Sequence, residues 1–182
     1  MLDSNRDNEL VKRAQQGDSA AVGALYDRHH TAIFRFVWSR VSNQQLAEDL
    51  TGEIFTKMVV NLPNYKINET PFRAWLYRIA RNLVTDEFRK QSGKTAVPLQ
   101  DVETMIGLGM SPDLVAEQNL KLDKVQDALA NIDPTQREIV ELRFLAGFSL
   151  QEVAETLDYT VAAVKSHQHR GLKALRATLQ GG

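Results

Sequence analysis

Apolar residues recur three and four positions apart through most of this chain, the spacing that places them on one face of an α-helix. The pattern predicts helices over residues 5–16, 18–41, 43–62, 71–90, 113–131 and 134–146, with two more within 148–176. The alternation that indicates β-strands is missing from the sequence, and no repeat of 20 to 50 residues is visible. The sequence therefore predicts an all-α fold.

Residues 148–176 hold the most informative pattern. Ser149 can cap a short helix with Val153, Ala154 and Leu157 on its apolar side. The pattern then breaks for about one turn, and Thr160 can cap a second helix. Two short helices joined in this way form a helix-turn-helix. Asp158 occupies the turn position that usually needs a glycine, a left-handed conformation that aspartate tolerates at some cost.

The second of these helices has two different faces. One arc holds Val161, Val164, Leu172 and Leu175, and the opposite arc holds Ala162, Ser166, His169, Arg170 and Lys173. Four basic residues and no acidic one lie between Thr160 and Gly182, although the whole chain has a formal net charge of −1. The pattern favours a face that reads the major groove of DNA. An ordinary solvated helix face is the alternative.

A second basic face is predicted on the helix over residues 71–90. Its apolar side carries Phe72, Trp75, Leu76, Ile79, Ala80 and Leu83, and its other side carries Tyr77, Arg78, Arg81, Asn82, Thr85 and Arg89. Arginine binds phosphate with two hydrogen bonds, and tyrosine or asparagine can stack on or hydrogen-bond an unpaired base. Single-stranded nucleic acid is therefore one predicted ligand, and a solvated basic face is the alternative.

The chain divides into two helical domains. Residues 91–112 lose the helical pattern and contain three glycines and two prolines, which indicates a flexible linker. We therefore expect two small helical domains, residues 1–90 and 113–182, joined by a linker over 91–112. The second of them contains the helix-turn-helix.

Composition removes several classes of protein. At 182 residues with 43% hydrophobic and 25% charged residues, the chain is typical of a globular protein. No apolar run approaches the length of about 20 residues that a membrane span needs, and the N-terminus is polar, so we expect a cytoplasmic protein without membrane insertion. The lack of cysteine excludes disulfides.

Motifs for catalysis and for metal binding are missing from the sequence. It has no glycine-rich phosphate loop, no nucleophile elbow and no paired-histidine spacing. His29 and His30 are neighbours in sequence, so on a helix their side chains point in different directions and cannot coordinate the same metal ion. The prediction is a protein that is not an enzyme and has no catalytic residues, metal or other cofactor.

Three segments, in order, resemble the extracytoplasmic-function (ECF) sigma factors of the sigma-70 family. AEDLTGEIFTKMVVNLPNY (47–65) is similar to the family's region 2.2, which binds core RNA polymerase. FRAWLYRIARNLVTDEFRK (72–90) is similar to regions 2.3 and 2.4, and residues 132–175 look like region 4. The resemblance covers nearly the whole chain and implies a transcription initiation factor that directs core RNA polymerase to promoters and aids strand opening.

The resemblance also implies roles for individual residues. The residues expected to bind the clamp helices of the polymerase are Glu48, Asp49, Leu50, Glu53, Phe55 and Lys57. Those expected to capture the −10 element are Asn64, Lys66, Phe72, Arg73, Tyr77, Arg78, Arg81, Asn82 and Arg89. Those expected to recognise the −35 element are Thr160, Ala162, Lys165, Ser166, His169, Arg170 and Lys173. The resemblance further implies that region 4 rests on the polymerase flap and that an anti-sigma factor regulates the chain.

The sequence departs from the family pattern at three places. Asp158 replaces the usual turn glycine, Ala162-Ala163 replaces a common Gly-Thr pair, and His167 and His169 stand where arginine or an aromatic residue is frequent. These departures concern the base sequence read at −35 and not the fold. The two histidines also raise the hypothesis of pH-sensitive promoter contact, because histidine is the side-chain type that can change charge near neutral pH.

Two other functions remain as alternatives. A free-standing helix-turn-helix regulator would bind duplex DNA without polymerase, but it should show a larger basic excess than this chain has. Such a regulator also has no use for a second basic and aromatic helix. A structural helical adaptor would not depend on Arg78 or Arg170 at all.

Overall fold

The computed structural model describes residues 2–41, 43–67, 69–92 and 124–180, and every regular element in these ranges is helical. The helices are α1 (Leu2–Gln15), α2 (Ser19–Trp38), α3 (Gln44–Asn61), α4 (Phe72–Ser92), α5 (described over 124–130), α6 (Pro134–Val140), α7 (Leu150–Leu157) and α8 (Val161–Gln180). A 3-10 turn (Leu62–Asn64) follows α3, and a π turn (Glu141–Leu145) continues α6. The all-α prediction is confirmed. Most of the predicted linker, from residue 93 onwards, lies outside the described residues.

Short polar side chains begin several helices, as the sequence predicts. Asp18 accepts hydrogen bonds from the backbone amides of Ala20 and Ala21 at the start of α2. Asn43 caps α3, and Asp133 caps α6 directly before its first-turn proline. Each cap satisfies backbone amides that have no partner within the helix.

Helix α2 ends at Trp38, three residues before the predicted end at Val41. The Ser39 hydroxyl donates to the carbonyl of Phe36 at 2.8 Å. The side chain of Gln126, on α5, donates to the carbonyls of Trp38 and Val41 at 2.5 and 3.1 Å. The second half of the chain therefore satisfies the backbone at the end of α2, and sequence periodicity could not show a partner so distant.

A buried carboxylate on helix α1 contacts side chains of α2. Asp7 accepts a hydrogen bond from Arg28 at 2.9 Å, and Nε2 of His29 lies 3.0 Å from the other carboxylate oxygen. Burial alone would raise the pKa of Asp7, but the interactions of its carboxylate with His29 and Arg28 outweigh burial and lower that pKa. His29 is therefore a packed side chain, as expected.

The two halves of the chain share one hydrophobic core. Buried residues of α1 to α4 are continuous with Ile139, Leu142, Phe148 and Val153 of the second half. A smaller cluster of Leu129, Ile132 and Val140 lies between α5, α6 and α8. None of the helices in the described ranges has an apolar stretch sufficient to cross a membrane.

A buried carboxylate also joins the two halves. Glu141 has no solvent-exposed surface. It accepts hydrogen bonds of 2.7 Å from the Nε atoms of Arg40 and Arg137. Ser39 donates to the same carboxylate at 3.2 Å, and its own carbonyl accepts from Arg137 at 2.6 Å. We call these four residues the Glu141 cluster. Burial alone would lower the pKa of Arg40, but the Glu141 carboxylate raises it, so the guanidinium stays charged.

Replacing Asp7 with asparagine should lower the free energy of unfolding at pH 7 by about 1–3 kcal/mol, because Arg28 loses its buried carboxylate partner. The pKa of Asp7 lies below its ordinary value of 3.8 in the fold. Its contribution is therefore fully present above about pH 4 and is lost as the pH falls through the folded-state pKa. Urea unfolding followed by circular dichroism measures both effects.

The control is Asp27→Asn, which removes the same charge from an exposed position on α2 and should change stability by less than about 0.5 kcal/mol. Equal losses in the two variants would contradict the role assigned to Asp7.

Candidate nucleic-acid interface

Helices α7 and α8 form the predicted helix-turn-helix. Ser149 begins α7 with a capping box, in which its hydroxyl accepts from the Glu152 amide and the Glu152 carboxylate accepts from the Ser149 amide. Asp158 follows α7 with φ 57° and ψ 46°, the left-handed conformation predicted for this turn. The Thr160 hydroxyl then accepts from the Ala163 amide at 3.1 Å. Both predicted caps and the turn residue are confirmed.

The inner side of α8 is pressed against α6. Val164 is fully buried, and Gly171 lies so close to α6 that an added Cβ would stand 3.0 Å from Cγ2 of Val140 and 3.2 Å from Cβ of Gln136. A side chain at position 171 would force the two helices apart. This contact fixes the rotation of α8 and so decides which residues face outward.

All seven residues predicted for −35 recognition lie on the exposed side of this unit. Thr160 precedes α8, and the other six lie along its first four turns: Ala162, Lys165, Ser166, His169, Arg170 and Lys173. Each is exposed to solvent. The geometry is that of a recognition helix, with polar and cationic side chains on the surface a DNA groove would meet.

His167 contacts two side chains of this surface. Its ring stacks on that of Tyr159 with centroids 5.8 Å apart, and its Nδ1 lies 3.3 Å from the Arg170 guanidinium. The neighbouring Gln168 accepts a hydrogen bond from Arg143 on the π turn. The His167 ring therefore contacts Arg170 from the edge of the surface formed by the predicted −35 residues.

The nine residues predicted for −10 capture fall into separate groups. Asn64, Lys66 and Arg78 line a pocket of about 250 Å³ between the loop after α3 and the start of α4. Tyr65, Glu69, Thr70 and Trp75 complete its walls. Burial, and then the charge of Asp7, raise the pKa of Tyr65 to about 12, so its hydroxyl stays protonated and donates to the Thr70 carbonyl. Asn82 and Arg89 are exposed further along α4.

Three other predicted −10 residues are covered by the second half of the chain. Arg73 lies over the Phe148 ring, 4.4 Å from its centroid, and donates to the Ala146 carbonyl. Tyr77 is 1% exposed, with its hydroxyl 3.3 Å from the Glu138 carboxylate. Arg81 is half-exposed and pairs with Glu138 at 2.9 Å. Burial and then Glu138 raise the pKa of Tyr77 well above its ordinary value, so it remains a hydrogen-bond donor.

Phe72 differs from these three because its own domain buries it. It is 1% exposed and packs against the rings of His29, Tyr65 and Trp75. Its position corrects the expectation that Phe72 offers a surface to DNA. An aromatic residue on the apolar stripe of an amphipathic helix fills the core, and its closeness in sequence to Arg73 does not bring it outside.

The residues predicted to bind polymerase also divide into an exposed group and a buried group. Glu48, Asp49, Glu53 and Lys57 are exposed on α3, with Glu53 and Lys57 forming an ion pair at 3.4 Å. Leu50 and Phe55 are each only 5% exposed, which corrects their assignment to the binding surface. Phe55 packs on Tyr26, with ring centroids 4.7 Å apart. The exposed side of α3 also carries Val59 and Val60, which the sequence argument did not single out.

Trp75 and Glu138 are among the residues of this region that sequence reasoning did not assign to a site. Trp75 was assigned to the apolar side of α4, yet it also forms part of the pocket wall. Glu138 had no role assigned from the sequence. An aromatic residue one helical turn after a loop was the available signal for Trp75, while nothing local indicated Glu138.

Comparison with known proteins identifies both halves of the chain. The sigma-70 region 2 family matches residues 25–94, and the sigma-70 region 4 family matches residues 128–177. The chain is 34% identical over 177 residues to the ECF RNA polymerase sigma factor BldN of Streptomyces coelicolor, covering 97% of this chain and 67% of that protein. It is 31% identical to SigW of Bacillus subtilis, covering 93% and 95%.

The chain belongs to the ECF sigma factors. It is therefore a transcription initiation factor, and the family predicted from three sequence segments is confirmed. A solved structure of CnrH in complex with the cytosolic domain of CnrY is similar in fold, with a TM-score of 0.75 and 26% identity over 97% of this sigma factor and 98% of that chain. The surfaces described above thus lie on regions 2 and 4 of a sigma factor.

Replacing Asp158 of the sigma factor with glycine should raise the free energy of unfolding by about 0.5–1 kcal/mol, because glycine adopts φ 57° without a steric penalty. Asp158→Ala should lower it by about 1 kcal/mol, since alanine lacks the local hydrogen bonding that lets aspartate tolerate this backbone. Urea unfolding of the parent and the two variants measures the order of their stabilities. An alanine variant as stable as the parent would contradict this account of the turn.

Proposed function

We propose that this sigma factor joins core RNA polymerase through the exposed side of α3 and recognises a promoter with two separate surfaces. The recognition helix α8 reads the −35 element in the major groove. The pocket beside Arg78 and the adjoining face of α4 capture unpaired bases of the −10 element. The observation that carries this proposal is the exposure of all seven predicted −35 residues on a helix-turn-helix whose inner side is fixed by Gly171.

The pocket supports capture of an unpaired base. It is open to solvent and combines an aromatic wall at Trp75 with the cations of Lys66 and Arg78 and the amide of Asn64. Aromatic rings stack on bases, while cations hold the phosphate backbone beside them. Lys66 is paired with Glu69 at 3.0 Å on the surface, so a phosphate competes with that carboxylate for the ammonium group.

The exposed side of α3 supports binding to a larger protein. It presents Glu48, Asp49 and Glu53 close to the exposed apolar side chains of Val59 and Val60. A polar rim beside apolar groups is typical of protein interfaces. A surface rich in carboxylates is unsuited to nucleic acid, so polymerase is the partner we assign to it.

Charge favours a polymerase-dependent factor over a free-standing regulator. The formal net charge of −1 leaves no general attraction to DNA, and the two cationic surfaces are small. Binding to polymerase would supply the affinity for DNA that the chain lacks. It would also hold the two surfaces at the distance that separates the −10 and −35 elements. A sigma factor that acts together with RNA polymerase also acts in the cytoplasm.

An anti-sigma factor is the regulator we propose. CnrH, which shares the fold of this chain, was solved bound to the cytosolic domain of CnrY. A protein that covers α3 or α8 would block polymerase or promoter contact, respectively.

The deciding experiment is gel filtration of the chain with core polymerase, followed by run-off transcription from a promoter found by mapping transcript starts after overexpression. We expect co-elution with polymerase and transcription that depends on the chain. Tight binding of the isolated chain to intact duplex, with no effect of polymerase, would favour the free-standing regulator instead.

Two alanine variants separate the two DNA surfaces. Arg170→Ala should weaken binding of the holoenzyme to duplex carrying the −35 element by about 1–3 kcal/mol. Arg78→Ala should leave that binding intact and reduce strand opening at −10, measured by permanganate footprinting. Both variants should still co-elute with polymerase.

Lys12→Ala is the matched control, since it removes an exposed cation from α1, far along the chain from both surfaces. It should change neither measurement. Loss of both activities in either arginine variant would contradict the division of roles.

A further inference from the structure

Helix α1 contacts the loop that forms one wall of the pocket beside Arg78, which we call the −10 pocket. Asp7, Val11 and Gln15 are four residues apart and so follow one side of α1. Asp7 and Val11 are buried, and Gln15 is one turn further, at the last residue of the helix. The sigma-70 region 2 match begins at residue 25, so this helix lies outside it. The two buried residues anchor α1 and bring the Gln15 side chain to the loop after α3.

The Gln15 side chain binds two backbone carbonyls of that loop. Its Nε2 donates to the carbonyl oxygen of Leu62 at 2.9 Å and to that of Tyr65 at 2.8 Å. A side-chain amide nitrogen carries two hydrogens, so the two bonds use its full donor capacity. The carbonyls stand at either end of the 3-10 turn, and the Tyr65 amide also donates to the Leu62 carbonyl at 3.1 Å. Gln15 therefore fixes both ends of the turn.

The turn held in this way carries polar side chains of the −10 pocket. Asn64 is its last residue, and Lys66 follows two positions later. Tyr65 lies between them and packs its ring on Trp75, with centroids 4.9 Å apart. The Tyr65 hydroxyl also donates to the Thr70 carbonyl. A shift of the Tyr65 backbone would therefore move the amide, the ammonium group and the aromatic wall of the pocket together.

The end of α1 is itself fixed, which gives Gln15 a firm base. Gly17 takes φ 90°, a conformation that favours glycine, and its amide donates to a carbonyl of the last turn of α1 at 3.0 Å. Arg13, on the same turn, pairs at 2.7 Å with Asp18, the residue that caps α2. The pocket loop is therefore tied through Gln15 to the junction of the first two helices.

We propose that Gln15 is a positioning residue for the −10 pocket, fixing the loop that carries Asn64 and Lys66 and thereby the choice of the unpaired base. The inference rests on the proposed −10 role of this pocket. Gln15 acts through the loop backbone. Polar groups held at fixed positions reject a wrong base because that base leaves them unpaired. A loop that can shift adapts to several bases and discriminates less.

The first measurement is hydrogen exchange in the free sigma factor, followed by NMR, which needs neither polymerase nor DNA. Gln15→Ala removes both bonds to the loop. The Tyr65 amide should then exchange about tenfold faster, because the turn opens more readily, while amides within α4 keep their rates. Gln16→Ala, at the exposed neighbouring position, is the matched control and should change neither. An unchanged rate at Tyr65 in Gln15→Ala would overturn the proposal.

The second measurement is the base preference of the holoenzyme. Run-off transcription at limiting holoenzyme is compared between the mapped promoter and versions with a single −10 base replaced. The ratio between templates cancels the fraction of folded sigma factor, so a loss of stability alone does not move it. Gln15→Ala should reduce discrimination at one −10 position about tenfold and leave binding to −35 duplex unchanged. Ratios equal to those of the parent would contradict the positioning role.

An isosteric variant separates hydrogen bonding from packing. Gln15→Glu keeps the side-chain shape but sets a carboxylate, which accepts and does not donate, against two carbonyls. It should reduce discrimination at least as much as Gln15→Ala. Discrimination equal to that of the parent would show that the two hydrogen bonds are not responsible.

The proposed function is judged separately, by strand opening in the Arg78→Ala holoenzyme. If that opening is lost while Gln15→Ala keeps the discrimination of the parent, only the positioning role fails. If opening survives Arg78→Ala, the proposed −10 role of the pocket fails, whatever Gln15 does to the loop.

Discussion

The arrangement of the two halves depends on one buried carboxylate. Glu141 has no exposed surface and lies between the guanidinium groups of Arg40 and Arg137, one from each half of the chain. A charge withdrawn from water must find partners, and here the partners are complete only when the halves are together. The same groups regain their hydration when the halves part. A junction with this composition is therefore specific in geometry yet easier to separate than an apolar junction of equal area.

This junction explains how a chain without excess positive charge can hold two surfaces for nucleic acid. Arg81 is paired with the Glu138 carboxylate and Arg73 is covered by the Phe148 ring, whereas Lys165, Arg170 and Lys173 on α8 remain exposed. Unpaired cations attract any nucleic acid, and this attraction grows as salt falls. Covering one of the two surfaces thus limits unspecific binding without removing the residues needed later.

The sequence was most informative where local chemistry decides the structure. Caps such as Ser149 and Thr160, the left-handed turn at Asp158 and the outward face of α8 all follow from neighbouring residues. It was least informative where the partner is distant: Glu138 meets Tyr77 across 61 positions, and Glu141 meets Arg40 across 101. A basic helix face has the same pattern whether water, DNA or another helix covers it. The apolar spacing of α3 already places Leu50 and Phe55 on its inward side, and their assignment to a binding surface came from the family resemblance alone.

The departures from the family pattern all lie in or beside the turn and the first half of α8. Asp158 takes the backbone conformation of the glycine it replaces, so the turn survives the change. Ala162 is exposed and adds little bulk to the outward side of α8, while His167 contacts Tyr159 by stacking and Arg170 by a polar contact. The residues whose packing orients the helix, Val164 and Gly171, are not among these positions. The framework and the reading surface are therefore separate sets of residues on one helix, which lets the recognised bases change while the fold stays constant.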